Sequence, residues 1–256
     1  MHVMAHLNSD LYSVFDDEIR HQILDPIKSL VTDDPLQGST FLQNGTNKIK
    51  LNKFELKPIK NQSSAVIKLL AKKRLVALNI LDRVGVRFVT KNTFDIFQVI
   101  RFLVNNSLVS YPHCIVNESA NMVYPTDLFL EVMDTLRSKN SMADEKDIEA
   151  LLMKKMEDQK GQLDLKTKGN VFTAPDYKFV KFISRKLIRV EIEHGGKKEE
   201  VQFFYPFEVQ VMDSQTYNNN MRGPLSHEEY KKRQLKAAGL RLFGNYLSKS
   251  SEEDVV

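Results

Sequence analysis

The sequence changes from a helical to a strand pattern within Ile80-Leu-Asp-Arg-Val-Gly-Val-Arg-Phe-Val-Thr90. Asp82 lies at the junction, and Gly85 and Arg87 share one strand face because strand side chains alternate with a period of two. A carboxylate at such a junction, two turns from a lysine cluster, suits a metal–phosphate site. The simpler alternative is a helix C-terminal aspartate with a surface arginine, or a structural ion pair between Asp82 and Arg87.

The patterns on either side of this segment indicate a sheet covered by a helix. Before it, a helix that follows Ser63-Ser64 and ends near Leu81 carries Lys68 and Lys72, which share a face because they are four residues apart. After it, Thr93–Val104 is apolar almost all round, which is typical of a helix packed against a sheet. A strand followed by a buried helix predicts an α/β or α+β layer structure.

The N-terminal and middle parts of the chain give helical patterns. Residues 1–50 are predicted to form a helical segment, with an amphipathic helix over Asp10–Leu30 and a loop over Asp33–Lys48. A short strand is predicted over Leu51–Ile59. Residues 107–168 are predicted to be a helical insertion. The narrow apolar stripe of its charged helix indicates an excursion from the main core or a surface for a partner. Deleting most of this insertion is therefore expected to leave a folded domain.

The last third of the chain predicts a β-hairpin. It has strand patterns over Lys181–Glu193 and Val201–Met212, joined by the turn sequence His194-Gly-Gly-Lys197. Glu208 and Gln210 share the polar face of the return strand, so replacing Glu208 is expected to leave the core closed. A polar face on an otherwise apolar strand is a local exception of the kind found at functional or strained sites.

Composition limits the classes of function. The 256 residues are 42% hydrophobic and 27% charged, as in ordinary globular proteins. A net charge of +4 fits a local site for phosphorylated small molecules better than the wrapping of long nucleic acid. The single cysteine, Cys114, excludes an intrachain disulfide and a cysteine-based zinc site. A reducing compartment follows, and the absence of a signal-peptide pattern or an apolar run of membrane-spanning length predicts a cytoplasmic location without a membrane partner.

Three motifs occur in an order that carries a family resemblance. They are Lys60-Asn-Gln-Ser-Ser64-Ala-Val-Ile-Lys68, Asp82-Arg-Val-Gly-Val-Arg87, and Glu208-Val-Gln-Val followed later by Tyr230-Lys231. Together they resemble the synthetase domain of the RelA/SpoT family, the (p)ppGpp synthetases of the bacterial stringent response. The resemblance covers roughly residues 55–105 and 170–232. The sequence departs from the family where Pro58 replaces an arginine, with Lys57 beside it, and where Lys181 replaces a histidine.

The resemblance implies a fold and a division of the chain. The fold is a nucleotidyltransferase-like mixed β-sheet flanked by helices, of the α/β (α+β) class, with a helical insertion at about 107–168. The domain occupies residues 51–245. It follows the N-terminal helical segment and precedes a flexible tail at residues 246–256.

The resemblance also implies a reaction and the residues that carry it. The reaction is Mg²⁺-dependent transfer of pyrophosphate from ATP to the 3′-hydroxyl of a guanosine nucleotide. Asp82 and Glu208 would be the catalytic residues and the metal ligands, since Mg²⁺ takes carboxylate and phosphate oxygens. The implied nucleotide-binding residues are Lys60, Ser64, Lys68, Arg87, Tyr177 and Gln210. Tyr177 would stack on the acceptor base.

Four alternatives remain at this stage. The acceptor could be another 3′-hydroxyl, such as a tRNA end. The chain could instead be a non-catalytic relative that binds a nucleotide or a partner for regulation, and a homo-oligomer is compatible with either reaction. Lys60 and Lys68 could be surface lysines and Tyr177 a packing residue. A general RNA-binding module is the weakest alternative, because the basic residues are not concentrated with aromatic ones on one sheet.

Overall fold

Seven strands form one mixed sheet in the order β1-β2-β3-β4-β7-β6-β5. The computed structural model describes residues 14–34, 38–57, 66–67, 70–71, 81–138, 144–158, 179–221 and 227–253. The strands are β1 (Val31–Asp34), β2 (Ser39–Asn44), β3 (Asn47–Leu56), β4 (Gly85–Thr90), β5 (Ala120–Asn121), β6 (Val180–His194) and β7 (Lys197–Asp213). The predicted fold class, a mixed sheet flanked by helices, is confirmed.

Six α-helices with described bounds accompany the strands, of which the first precedes β1 and the others lie between or after the strands. They are α1 (Asp16–Lys28), α2 (Asp95–Asn105), α3 (Thr126–Ser138), α4 (Glu145–Asp158), α5 (Ser214–Met221) and α6 (His227–Glu253). Two short 3₁₀ turns, Tyr111–His113 and Val116–Glu118, precede β5. None of the helices in this part of the chain is long and apolar enough to cross a membrane.

The sheet consists of two antiparallel blocks joined side by side. Strands β1 to β4 pair antiparallel in sequence order, and β5, β6 and β7 do the same. Between the blocks, β4 and β7 pair in parallel. The long β6–β7 hairpin turns at Gly195 and Gly196, whose φ values of 60° and 73° are easily reached only by glycine. This hairpin confirms the prediction for the last third of the chain.

The loop predicted over Asp33–Lys48 is wrong. This segment contains the end of β1, all of β2 and the start of β3. Gly45, with φ at 57°, forms part of a tight turn between β2 and β3. A glycine of this kind is equally compatible with a long loop and with a hairpin turn. The strand predicted over Leu51–Ile59 is present, but it begins earlier, at Asn47. In the described part of the predicted N-terminal helical segment, the α-helix covers Asp16–Lys28 and strands follow it.

The main core lies between the sheet and helices on one of its faces. From α2, the side chains of Ile96, Val99 and Leu103 are fully buried, which confirms that this helix packs on the sheet. From α1, Ile19 and Ile27 join the same core. Strands β4 and β7 contribute alternate residues to it, since their other side chains point to the opposite face.

The middle helices are part of this core. Val132 and Leu136 of α3 and Leu152 of α4 belong to the main hydrophobic cluster, and Leu152 is fully buried. Strand β5 adds to the sheet by pairing with β6. The prediction that this segment lies outside the main core is therefore wrong. Its apolar stripe is narrow because it packs onto an existing core rather than forming one of its own.

Two further predictions concern the ends of helices. The helix predicted before Leu81 lies mostly outside the described residues. The four residues of it that are described, 66–67 and 70–71, are helical. The tail predicted at 246–256 is helical as far as Glu253, because α6 continues through it. The division of the chain into domain and flanking segments stays a prediction.

Candidate functional site

Two of the sequence motifs meet at the parallel junction between β4 and β7. In this pairing Gly85 lies opposite Glu208, and Arg87 lies opposite Gln210. Arg87 and Gln210 are 123 residues apart in the chain, yet the Arg87 Nε donates a 3.1 Å hydrogen bond to the Gln210 Oε1. The motif pattern alone predicted a common site, and the sheet brings these residues together on one face.

The neighbouring strands add further polar side chains to the same face. Lys181 on β6 lies opposite Gln210, and Glu55 on β3 lies opposite Arg87. We call the resulting set the polar strip. Its members are Lys53, Glu55, Lys57, Arg87, Lys181, Glu208 and Gln210.

A β-bulge in β3 turns three of these residues onto the strip. Leu51 pairs with Thr90 and Lys53 pairs with Val89, so Asn52 is one extra residue between them. Leu51 is buried in the core, and without the extra residue Lys53 and Glu55 would point the same way as Leu51. The bulge reverses the alternation. Sequence analysis missed Glu55 and Lys53 because a regular strand does not predict this reversal.

Glu208 is buried between two lysines. It is only 4% exposed, and one of its carboxylate oxygens contacts the Lys57 ammonium group. The Lys181 Nζ lies 3.8 Å from the other oxygen. A buried carboxylate needs such partners, because an unpaired charge away from water is strongly unfavourable. That replacing Glu208 leaves the core closed stays a prediction, but two lysines share this carboxylate, so its loss is expected to lower stability.

Gly85 allows this close arrangement. A Cβ at this position would lie 3.0 Å from the Lys57 Cδ and 3.1 Å from the Glu208 backbone oxygen. The Lys57 N–H also donates a 2.9 Å hydrogen bond to the Gly85 carbonyl, one residue beyond the end of β3. Glycine is thus needed here because the neighbouring strand β7 and the Lys57 side chain approach closely, and not for an unusual backbone angle.

Arg87 forms its ion pair with Glu55. The distance from the Arg87 Nη1 to the Glu55 Oε2 is 3.0 Å. The Glu55 Oε1 accepts a 2.6 Å hydrogen bond from the Tyr217 hydroxyl and lies 2.7 Å from the Lys53 Nζ. Burial alone would raise the pKa of Glu55, but hydrogen bonds from Lys53 and Tyr217 and the charge of Arg87 outweigh it and lower that pKa. Glu55 therefore stays ionised.

Helix α5 brings Tyr217 to the strip, and Asp213 fixes the start of that helix. The Asp213 Oδ1 accepts a 2.7 Å hydrogen bond from the Thr216 backbone N–H. Its Oδ2 accepts another, of 2.7 Å, from the Thr93 hydroxyl. Carboxylates at this position satisfy helix N–H groups that lack partners. Tyr217 was not predicted, because nothing in the sequence links it to the motifs.

Asp82 lies three residues before the start of β4, near the point where the backbones leading into β4 and along β7 meet. The Val84 carbonyl, two residues after Asp82, accepts a 2.9 Å hydrogen bond from the Glu208 N–H. Asp82 is half-buried. The other four predicted site residues, which are Lys60, Ser64, Lys68 and Tyr177, lie outside the described residues.

The carboxylates present fit a magnesium ion by their chemistry. Within the described ranges no group of three or more His, Cys, Asp or Glu residues could hold a metal ion. Mg²⁺ needs only one or two protein carboxylates when substrate phosphates and water complete its shell. Asp82 and Glu208 are carboxylates of this chemical type, and Glu208 would have to exchange its Lys57 partner for the ion.

The comparisons with known proteins add a structural likeness. No protein-family model and no curated protein matches the chain. It is similar to a GTP pyrophosphokinase family protein from Streptococcus pneumoniae, with 9% identity, a TM-score of 0.31, and coverage of 80% of this chain and 77% of that one. It is also similar to small alarmone synthetase 1 from Bacillus subtilis bound to its product pppGpp, with 9% identity, a TM-score of 0.31 and 80% coverage of each chain.

A third similar structure is small alarmone synthetase 2 from Bacillus subtilis, with 13% identity, a TM-score of 0.29, and coverage of 80% of this chain and 82% of that one. These three structures are one GTP pyrophosphokinase family protein and two small alarmone synthetases.

Proposed function

We propose that the polar strip is the active site of a Mg²⁺-dependent pyrophosphate transferase that acts on ATP and a guanosine nucleotide. The supporting observation is the pairing of Gly85 with Glu208 and of Arg87 with Gln210, which unites two motifs on one face. Two motifs that meet on one face indicate a common site more specifically than either motif does alone.

The charge of the strip suits a polyphosphate ligand. Among its described members, four basic side chains face two carboxylates, Glu55 and Glu208. The excess of positive charge favours an anion, and arginine can bind phosphate with two parallel hydrogen bonds. In the proposed complex Arg87, with Lys60, Ser64 and Lys68, binds the ATP phosphates. Tyr177 stacks on the acceptor base and Gln210 binds a nucleotide.

The reaction is a displacement at the β-phosphorus of ATP. The acceptor 3′-oxygen forms a bond to that phosphorus while the bond to the oxygen of the α-phosphate breaks and AMP leaves. Catalysis of this kind depends mainly on positioning and on neutralising charge. Asp82 and Glu208 would hold Mg²⁺, which supplies charge neutralisation at the phosphates when bound. Glu208 alternatively accepts the proton of the attacking hydroxyl.

Lys57 has a specific part in this proposal. It contacts Glu208, so the carboxylate is neutralised before any substrate arrives. When ATP binds, the Lys57 ammonium group exchanges the carboxylate for a phosphate oxygen. Glu208 is then released to the metal or to the hydroxyl. The exchange costs little electrostatic free energy because the Lys57 ammonium group keeps an anionic partner throughout.

A second candidate function is regulatory binding without catalysis. Both oxygens of Glu208 already have a lysine partner, with Lys57 in contact and Lys181 at 3.8 Å. A carboxylate that keeps those partners in the complex neither binds a metal nor accepts a proton. Such a protein would bind a nucleotide polyphosphate through the same basic side chains and transfer nothing.

Label transfer separates the two functions. The purified chain is incubated with γ-labelled ATP, Mg²⁺ and GDP, GTP or tRNA. We expect transfer to a guanosine nucleotide, and a loss of about 10²- to 10⁴-fold in Glu208→Gln. Glu191→Gln is the matched control, because Glu191 is 71% exposed on the neighbouring strand β6, and it should transfer at the wild-type rate.

The same variants are also compared for thermal stability. Glu208→Gln should melt at a lower temperature, because Lys57 and Lys181 lose their shared carboxylate, and activity is therefore measured well below its melting temperature. Full transfer by Glu208→Gln contradicts the catalytic role of Glu208. No transfer by the wild type to any acceptor, together with ATP binding, favours the regulatory function.

A further inference from the structure

A cavity of about 440 Å³ lies at the end of the polar strip away from Glu208. It is bounded by the start of β2, the bulged part of β3, Val89 on β4 and helix α5. Val89 lies four residues along β4 from Gly85, about 13 Å at roughly 3.3 Å per residue. Pockets for small molecules typically have volumes of about 300–1,000 Å³. The cavity is thus large enough for a ligand of its own.

The lining of this cavity is basic and rich in hydrogen-bonding groups. Two lysines, Lys50 and Lys53, are among the described residues that line it, and no Asp or Glu is. The lining residues also include the hydroxyl-bearing Ser39, Ser214 and Tyr217, of which Tyr217 donates its hydroxyl hydrogen to Glu55 and Ser214 to the Lys91 carbonyl. A cavity with ammonium groups and without carboxylates in its described lining favours an anionic ligand over a cationic one.

The two lysines differ in how far their charge is already neutralised. The Lys53 Nζ lies 2.7 Å from the Glu55 Oε1 and donates a 2.7 Å hydrogen bond to the Tyr217 hydroxyl. Lys50 is exposed, and no ion pair joins it to another residue in the described ranges. Lys50 therefore carries the uncompensated charge of the cavity. Lys53 holds the Tyr217 ring and hydroxyl in place beside it.

We infer that this cavity is a second binding site, for a phosphorylated sugar or a similar phosphomonoester. The phosphate group binds at Lys50, and Lys53, which also lines the cavity but is paired with Glu55, adds a second positive charge nearby. The hydroxyl groups of the ligand bind to the serine hydroxyls and to Asn218, another lining residue. This site goes beyond the proposed transfer reaction and does not depend on it.

Ligand binding by the full chain tests this site, with ribose 5-phosphate as the probe and ribose as the comparison. We expect ribose 5-phosphate to bind by titration calorimetry and to raise the melting temperature, whereas ribose does neither. Lys50→Ala should weaken binding at least about tenfold, a typical loss for one charge-assisted hydrogen bond. Lys48→Ala is the matched control, since Lys48 lies on the same strand, over the Phe41 ring and outside the cavity lining.

The variant Glu208→Gln separates this site from the polar strip. Binding of ribose 5-phosphate should be unchanged in Glu208→Gln, whether or not the chain transfers pyrophosphate. No binding to the wild type, or equal binding to the wild type and Lys50→Ala, would overturn the inference. Loss of binding in Glu208→Gln with Lys50→Ala unaffected would also overturn it, because the probe would then occupy the polar strip.

Discussion

Gly85 is the residue whose replacement should disturb the candidate site most directly. An added methyl group would lie within 3.3 Å of the Lys57 Cδ, the Glu208 carbonyl oxygen and the Glu208 Cβ. We expect Gly85→Ala to reduce the free energy of unfolding by about 1–3 kcal/mol, as overpacking of closely packed sites does. It should also displace Lys57 or Glu208. Denaturant unfolding measures the first effect and ATP binding the second.

Gly239 supplies the matched control for that substitution. It lies in α6, where an added Cβ meets nothing within 4 Å. Gly239→Ala should therefore raise stability by up to about 1 kcal/mol, the usual difference between glycine and alanine in a helix. A Gly85→Ala protein as stable as the wild type would show that small shifts of the Lys57 side chain and of β7 at Glu208 relieve these contacts without a cost in stability.

Glu55 should make stability depend on pH in the acid range. Its pKa is lowered from 4.5 in the folded state, so folding favours the ionised form. The stability that Glu55 contributes is therefore fully present above about pH 4.5 and is lost as the pH falls through the folded-state pKa. We expect the free energy of unfolding to fall less steeply below this pH in Glu55→Gln than in the wild type.

Urea unfolding at a series of pH values between 6 and 3 measures this difference. Glu157→Gln, which alters an exposed glutamate on α4, is the control and should follow the wild-type curve. Equal acid dependence in Glu55→Gln and the wild type would mean that Lys53, Tyr217 and Arg87 do not hold Glu55 ionised in solution.

The sequence identified the residues that the site shares with a known pattern and missed those that depend on the sheet. Arg87, Glu208 and Gln210 of the polar strip could be singled out because each stands in a short motif with fixed spacing, whereas the site role of Asp82 stays a prediction. Lys57 and Lys181 appeared only as departures from that pattern, although both lie next to Glu208. Their contacts come from three different strands, and register between strands is not encoded in any one of them.

At the scale of elements, the packing of α4 leads to a prediction that differs from the sequence expectation. Leu152 is fully buried in the main core, whereas Met153, the next residue, is 56% exposed. Leu152→Ala should lower the free energy of unfolding by about 2–5 kcal/mol, because it leaves a cavity in the core. Met153→Ala should change it by less than about 0.5 kcal/mol.

Chemical denaturation of the two variants, compared with the wild type, measures these effects. If Leu152→Ala is as stable as Met153→Ala, then α4 is not packed on the core in solution. In that case removing the middle helices would leave the rest folded, as the sequence suggested. The narrow apolar stripe predicted for α4 is present in the structure. The wrong inference was that a helix with such a stripe must lie outside the main core.

The elements that sequence analysis found were those with strong periodicity. The alternating β6–β7 hairpin and the apolar helix α2 both have a pattern long enough to predict their type. Strands β1 and β2 are only four and six residues long, and they were missed because short strands give few periods. The bulge at Asn52 could not be predicted, since its cause is the pairing with β4.

For the whole molecule, the proposed metal site predicts a stability gain that needs both ATP and Mg²⁺. A ligand at about 100 times its dissociation constant stabilises the folded state by about 2.7 kcal/mol. We expect a rise in melting temperature with ATP and Mg²⁺ together that exceeds the rise with ATP and EDTA. In Asp82→Asn this difference should disappear, because one of the two proposed carboxylate ligands is lost.

Asp134→Asn is the control for a general effect of removing an acidic residue, since the Asp134 side chain is 76% exposed on α3. It should keep the full gain from Mg²⁺. A wild-type response in Asp82→Asn would make Asp82 a structural residue and would remove it from the proposed metal site. Thermal unfolding of the three proteins without ligand, with ATP and EDTA, and with ATP and Mg²⁺ gives the comparison.

The parallel junction between β4 and β7 has a consequence for biosynthesis. During translation β4 leaves the ribosome with its antiparallel partner β3, but Gln210, the partner of Arg87, is 123 residues further along. Until then the far edge of β4 has unsatisfied backbone groups, and exposed strand edges of this kind promote aggregation. The nascent chain therefore carries only the β3–β4 part of the candidate site while these 123 residues are synthesised. It gains the Glu208 half only when β7 inserts beside β4, a long-range step that is expected to be slow.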